Sequence, residues 1–169
     1  GEQHGRVYLY AFLEKKKQVE ISEENYRKLC FTFPFKPWNG KVIGEHQGAH
    51  FYTIGQRKGL NIGGYKEPLF VIGTDVQRNI IYVGEGQNHP GLFRPGLFVA
   101  ATDMHWIRPD LQMKPGEKRS YDIRIRYRQP LEKGVIHQKE DGAYFIFENE
   151  QRGITSGQFA AWYSGDELI

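Results

Sequence analysis

Apolar residues in this chain fall into short runs separated by glycine, proline and asparagine, and most runs alternate with polar positions in the period of two that marks strands. The first run, residues 7–13, suits a strand or a short helix. Residues 22–30 read as a short helix, with Ser22 as N-cap, Glu23 and Glu24 in a first turn favoured by the helix dipole, and Tyr26 and Leu29 facing inward. Pro34 and Pro37 hold residues 31–38 extended. From Gly40 the pattern predicts strands over 41–43, 50–54, 68–75 and 80–83, the last two forming a hairpin across residues 77–79. The cluster at 84–91 reads as a linker. A second block then predicts strands over 96–106, 119–129, 134–138, 143–147 and 154–163, with a turn over 109–116 and a hairpin turn at Asp141-Gly142.

The expected fold is mainly β, with a small central β-rich domain followed by a C-terminal six-stranded-type antiparallel β-barrel. The expected boundaries are an N-terminal segment with a short helix at 1–36, a central domain at 37–90 and a barrel at 91–169. Composition adds to this picture. Aromatics make up 14% of the 169 residues, which suits strands and, where exposed, stacking on bases. A net charge of +3 permits a polyanionic partner without demanding one. The single cysteine, Cys30, excludes a disulfide within the chain and fits a reducing, cytoplasmic setting. No apolar run approaches the roughly 18 residues of a membrane span, so no membrane partner is expected. The chain shows no signal peptide and begins with glycine, which reads as part of a longer protein.

Four stretches are candidates for chemistry. In a continuous strand over 119–129, Tyr121, Ile123, Ile125 and Tyr127 share one face, while Asp122, Arg124, Arg126 and Arg128 share the other. That stripe suits an RNA backbone, or a solvent-facing strand whose arginines pair with acids. Six glycines lie between residues 44 and 64, where Arg57-Lys58 offers a phosphate contact. The glycines serve either tight turns or a close backbone approach to a ligand. His46 and His50 have a helical metal-ligand spacing, but Gly44 and Gly48 argue against a helix there, and no metal site is expected. Cys30 sits between Leu29 and Phe31 and suits a small buried hydrophobe, with Arg27 and Lys28 as the local charges able to activate a thiol.

The run Gly44-Glu-His-Gln-Gly48 with Tyr52-Thr-Ile-Gly-Gln-Arg-Lys-Gly-Leu-Asn-Ile-Gly-Gly64 closely resembles the bacterial tRNA-specific 2-thiouridylases, the MnmA/TrmU family. Further matches follow in the family's order at Glu67-Pro68, Val83-Gly84, His89-Pro90, Trp106, Arg126-Tyr-Arg-Gln129, Thr155-Ser-Gly-Gln158, Ala161 and Tyr163-Ser-Gly165. The resemblance covers about residues 40–169 and implies the central and C-terminal domains of an enzyme whose N-terminal PP-loop domain binds ATP. Such enzymes adenylate the wobble uridine of Lys, Glu and Gln tRNAs and replace its 2-oxygen with sulfur. The sulfur arrives as a cysteine persulfide, with a cysteine desulfurase or sulfur-relay protein as the implied partner.

By motif, Arg126, Tyr127 and Gln158 correspond to tRNA contacts; Arg124, Arg128, Arg57 and Lys58 are further candidates. Arg126 and Tyr127 would point to opposite faces of a regular strand, so both reach RNA only at a strand end or bulge, which Pro130 supplies. The chain has no PP-loop, so no cofactor is expected within it and it is expected to be inactive alone. Cys30-Phe31 matches only the last two residues of the family's Gly-Ile/Val-Cys-Phe persulfide run, which leaves Cys30 a weak persulfide candidate. Two other readings fit the same residues. One is a stand-alone RNA-binding barrel adaptor; the other is a protein-interaction barrel whose arginines are neutralised by acids such as Glu148 and Glu150.

Overall fold

A computed structural model describes residues 5–9, 20–31 and 33–169. The chain is mainly β, with ten strands, one short α-helix and five 3-10 turns among the described residues. These residues form two compact units: 5–9 with 33–93, and 20–31 with 94–169.

The first unit is built on a four-stranded sheet in the order β2-β1-β4-β3. Its strands are β1 (Gly5–Leu9), β2 (Lys41–His46), β3 (Leu69–Asp75) and β4 (Ile80–Glu85). β1 pairs antiparallel with β2 and parallel with β4, while β3 and β4 form the expected hairpin. Asn79 closes that hairpin at a φ of 56°, a conformation that asparagine tolerates. Val7, Val71, Ile81 and Val83 fill one face, together with Leu60 and Leu69. The opposite face packs Ile72, Tyr82 and Leu92, with the Phe35 ring stacked on Tyr82 at 5.3 Å. A sheet buried on both faces explains why 80–83 reads as a continuous apolar run. Residues 10–13 of the first apolar run lie outside the described residues.

The strand expected over 50–54 does not form; residues Ala49–Phe51 make a 3-10 turn. The reason is local. The Gly48 N–H donates to His46 Nδ1 at 3.0 Å and the Ala49 N–H donates to Asn79 Oδ1 at 2.8 Å, so side chains take the place of a ladder partner. His46 is buried, and its Nε2–H donates to the Asn79 carbonyl at 3.1 Å. It is therefore a neutral structural histidine. Burial pushes its pKa below the ordinary 6.5. His137 in the second unit is also lowered by burial, stacked 4.4 Å from Tyr26.

A histidine held neutral in the fold takes up protons more readily when unfolded. Its stabilisation is full above the ordinary value of 6.5 and is lost as pH falls through the lower folded-state pKa. Thermal melting is therefore expected at a constant temperature between about pH 7 and 8 and at progressively lower temperature below about pH 6.5; a Tm unchanged between pH 7.5 and 5 would contradict this.

The second unit is built on a six-stranded sheet in the order β10-β9-β6-β7-β8-β5. Its strands are β5 (Phe93–Ala100), β6 (Lys118–Arg124), β7 (Glu132–Gln138), β8 (Gly142–Arg152), β9 (Ala161–Ser164) and β10 (Glu167–Leu168). Ile123, Ile136, Phe145, Phe147 and Trp162 form its core with Met113, Ile154 and Ile169. On β8 the alternate residues Tyr144 and Ile146 are buried too, under Tyr26 and Cys30. Those two belong to residues 20–31, whose helix α1 (Tyr26–Leu29) packs on the outer face of β8. The helix begins later than expected: Asn25 is the N-cap, and Ser22 instead accepts from the Asn25 and Tyr26 N–H groups.

Three strands are shorter than their apolar patterns predict. β5 ends at Ala100 because its partner β8 begins at Gly142, and a 3-10 turn follows at Ala101–Asp103. β6 ends at Arg124, opposite Ala161 at the start of β9, one residue beyond Ile123, which pairs with Glu132 at the start of β7. Residues 125–129 therefore lack strand neighbours and turn, with the Ile125 N–H donating to Gln129 Oε1 at 3.3 Å. Residues 154–160 are likewise a loop, and only Ala161–Ser164 is strand. None of the helices among the described residues is long and apolar enough to cross a membrane.

Candidate nucleic-acid interface

The Arg124 and Ala161 register sets the geometry of the site. Because β6 ends where β9 begins, the loops over 125–131 and 153–160 leave the same end of the sheet. The first carries Arg126, Tyr127 and Arg128 and no acid; the second carries Gln158 and Phe159 and no charge. Two side-chain links tie the first loop to the end of β8. Arg126 Nη2 donates to the carbonyls of Arg152 at 2.6 Å and Gly153 at 3.0 Å. Gln129 Nε2 donates to Gln151 Oε1 at 2.6 Å. One nitrogen of the Arg126 guanidinium is thus engaged, while its charge remains on the surface.

The continuous four-residue polar stripe expected on a strand over 119–129 is not formed. Only Asp122 and Arg124 lie on β6, and the three arginines separate by environment. Arg124 is half-buried, with its guanidinium 5.7 Å from the centre of the Tyr163 ring. Arg126 and Arg128 are both exposed on the turn. Among the described residues none of the three forms an ion pair, and Glu148 and Glu150 stand exposed without pairing to them. The turn also resolves the opposite-face problem, because Tyr127 is no longer in a strand and is 88% exposed beside Arg126.

In the second loop, the Ser156-Gly157-Gln158 turn needs its glycine, whose φ is +85°. The Thr155 N–H donates to Gln158 Oε1 at 3.5 Å, and the Gln158 side chain is exposed. Phe159 follows, 91% exposed. Sequence reasoning missed it because the apolar run over 154–163 reads as one strand, in which an aromatic is unremarkable. Arg94 was missed as well. Its Nη2 donates to the Ile154 carbonyl at 3.1 Å and its Nη1 to the Cys30 carbonyl at 3.3 Å, bracing the base of this loop against residues 20–31.

Cys30 is 2% exposed, with Sγ 3.9 Å from the Phe145 carbonyl. Burial pushes its thiol up to about 12, outweighing the opposing pull of Arg94. A protonated, enclosed sulfur is a packing group rather than a nucleophile.

Arg57 and Lys58 lie in the first unit, exposed on a loop anchored by backbone bonds from the Gly55 N–H to the Val71 carbonyl and from the Val71 N–H to the Gln56 carbonyl. Gly55 and Gly59 take φ values of 91° and 88°, so the tight-turn explanation of the glycine-rich stretch holds at both. Arg57 lines an open pocket of about 370 Å³ with Leu60, Asn61 and Ile62. The glycine-rich stretch leads into strand β3 rather than into a helix.

Two family models match successive parts of the chain. A family model described as the tRNA methyl transferase PRC-barrel domain matches residues 34–85. A second, described as the aminomethyltransferase beta-barrel domain, matches residues 98–169. A protein of Flavobacterium johnsoniae named tRNA-specific 2-thiouridylase MnmA is 51% identical over 157 residues, covering 93% of this chain and 38% of the relative. Its namesake in Christiangramia forsetii is 48% identical over 159 residues, covering 94% and 40%. That of Karelsulcia muelleri is 40% identical over 178 residues, covering 98% and 46%. The chain thus spans less than half the length of each of these relatives. With both domain models in succession and such identity along nearly its whole length, the chain belongs to the tRNA-specific 2-thiouridylase family.

Proposed function

We propose that this chain is the tRNA-docking portion of a tRNA-uridine 2-sulfurtransferase, in which a separate ATP-binding domain activates the wobble uridine and a persulfide supplies the sulfur. The observation that carries the reading is the convergence of Arg126, Tyr127, Arg128 and Gln158 on two loops at one end of the second sheet. Arginine meets phosphate through charge, Tyr127 offers a flat face to a base, and the Gln158 amide offers donors. Arg57 and Lys58 supply a further phosphate contact from the first unit. The relatives' names and their greater length support placing the chemistry in a domain beyond these residues, with a cysteine desulfurase or relay protein as sulfur source. The chain alone is then an RNA-binding module without thiolation activity.

The test is filter binding of the chain to a tRNA transcript across a salt series. The logarithm of the association constant is expected to fall linearly with log salt, with a slope set by the number of phosphates contacted. Absence of binding at low salt, or binding indifferent to salt, would refute the proposal.

A further inference from the structure

We infer that Phe159 and Tyr127 form a stacking platform that takes an unpaired nucleobase of the bound RNA, with Phe159 as a recognition residue in its own right. This rests on the docking role proposed above. Phe159 and Tyr127 are the two most exposed large hydrophobic side chains among the described residues, at 91% and 88%. Each is on a loop rather than a strand, and the two loops share one end of the sheet through the Arg124–Ala161 pair. Neither aromatic has a ring partner among the described contacts, whereas Phe31, Phe98 and Tyr144 in the same unit pack on one another. Exposing a phenyl ring to water is unfavourable, so a ring left bare beside a polar turn is suited to a transient partner.

Charge decides which partner. Arg126 and Arg128 flank Tyr127, with no acid in either loop. An apolar protein segment would gain nothing from two adjacent cations, whereas a nucleotide brings a flat base and a phosphate together. Bases within a duplex are already stacked and closed to such a platform, so the ligand is an unpaired base in a loop or at a strand end. Gln158, exposed beside Phe159 and accepting from Thr155 through Oε1, keeps its amide N–H groups to donate to a base carbonyl or ring nitrogen.

The test measures binding of the chain and its variants to a tRNA transcript and to a blunt duplex RNA of equal charge. Phe159→Ala is expected to weaken tRNA binding roughly 5- to 150-fold, the range of one lost base stack. It should leave the salt slope and the duplex affinity unchanged. Phe159→Trp should restore binding, and Phe159→Leu, which keeps apolar area but no π face, should not. Full binding by Phe159→Leu, or no effect of Phe159→Ala while Arg126→Ala weakens binding, would overturn the inference and leave the docking role standing. If neither Phe159→Ala nor Arg126→Ala changed tRNA affinity, the docking role itself would fail. Sedimentation of the same variants checks the rival occupant: loss of self-association in Phe159→Ala with RNA affinity intact would assign the platform to a second copy of the chain.

Discussion

Phe145→Ala is expected to lower the stability of the second unit by about 3–5 kcal/mol, the cost of emptying a fully enclosed aromatic site. Phe145 is 0% exposed, stands opposite Ile136 across the β7–β8 ladder, and meets Trp162 edge-on at 5.4 Å. Its surroundings have little room to collapse into the gap. β8 is pinned from the other face by Tyr26 and Cys30, whose thiol rests near the Phe145 carbonyl. Since a domain of this size holds only about 5–15 kcal/mol in total, the variant loses a large share of its folded population. Both loops of the proposed interface leave this sheet, so tRNA binding should fall with the folded fraction. Urea denaturation followed by tryptophan fluorescence measures the change; a loss below about 1 kcal/mol would show that the core around β8 is looser than described.

Arg126→Ala is expected to weaken tRNA binding about tenfold and to reduce the salt slope by about one. The side chain does two jobs. Its Nη2 fixes the 125–131 loop to the carbonyls of Arg152 and Gly153, and its charge remains available to a phosphate. Alanine removes both. Arg126→Lys keeps the charge and therefore the slope, but an ammonium cannot hold the two carbonyls and present a planar fork at the same time, so affinity should be only partly restored. Because Arg126 is at the surface but bonds two carbonyls, alanine should lower the unfolding midpoint slightly and lysine less. An alanine variant with wild-type affinity and slope would remove Arg126 from the interface.

Much of the fold was legible because local pattern and tertiary partner agreed. The strand read over 134–138 and the Asp141-Gly142 turn located most of β7 and the start of β8. The failures share one cause: a strand needs a neighbour, and an apolar run does not reveal where the neighbour stops. β6 stops at Arg124 because β7 and β9 begin opposite its end, and β5 stops because β8 begins at Gly142. The site depends on those terminations. Alternation alone placed Arg126 and Tyr127 on opposite faces, and only the early end of β6 brings both onto a turn. Phe159 and Arg94 had no signal of their own. An exposed aromatic is indistinguishable in sequence from a strand residue, and Arg94 braces the loop through backbone carbonyls that carry no residue identity.

Ultraviolet crosslinking of the chain to a tRNA transcript, followed by mass spectrometry of the crosslinked peptides, tests the interface most directly. The geometry predicts crosslinks in the peptides spanning 125–131 and 153–160, with Tyr127 and Phe159 as the principal sites, lost on competition with unlabelled tRNA. Crosslinks confined to other surfaces of the second unit, with both of these loops unmodified, would contradict it.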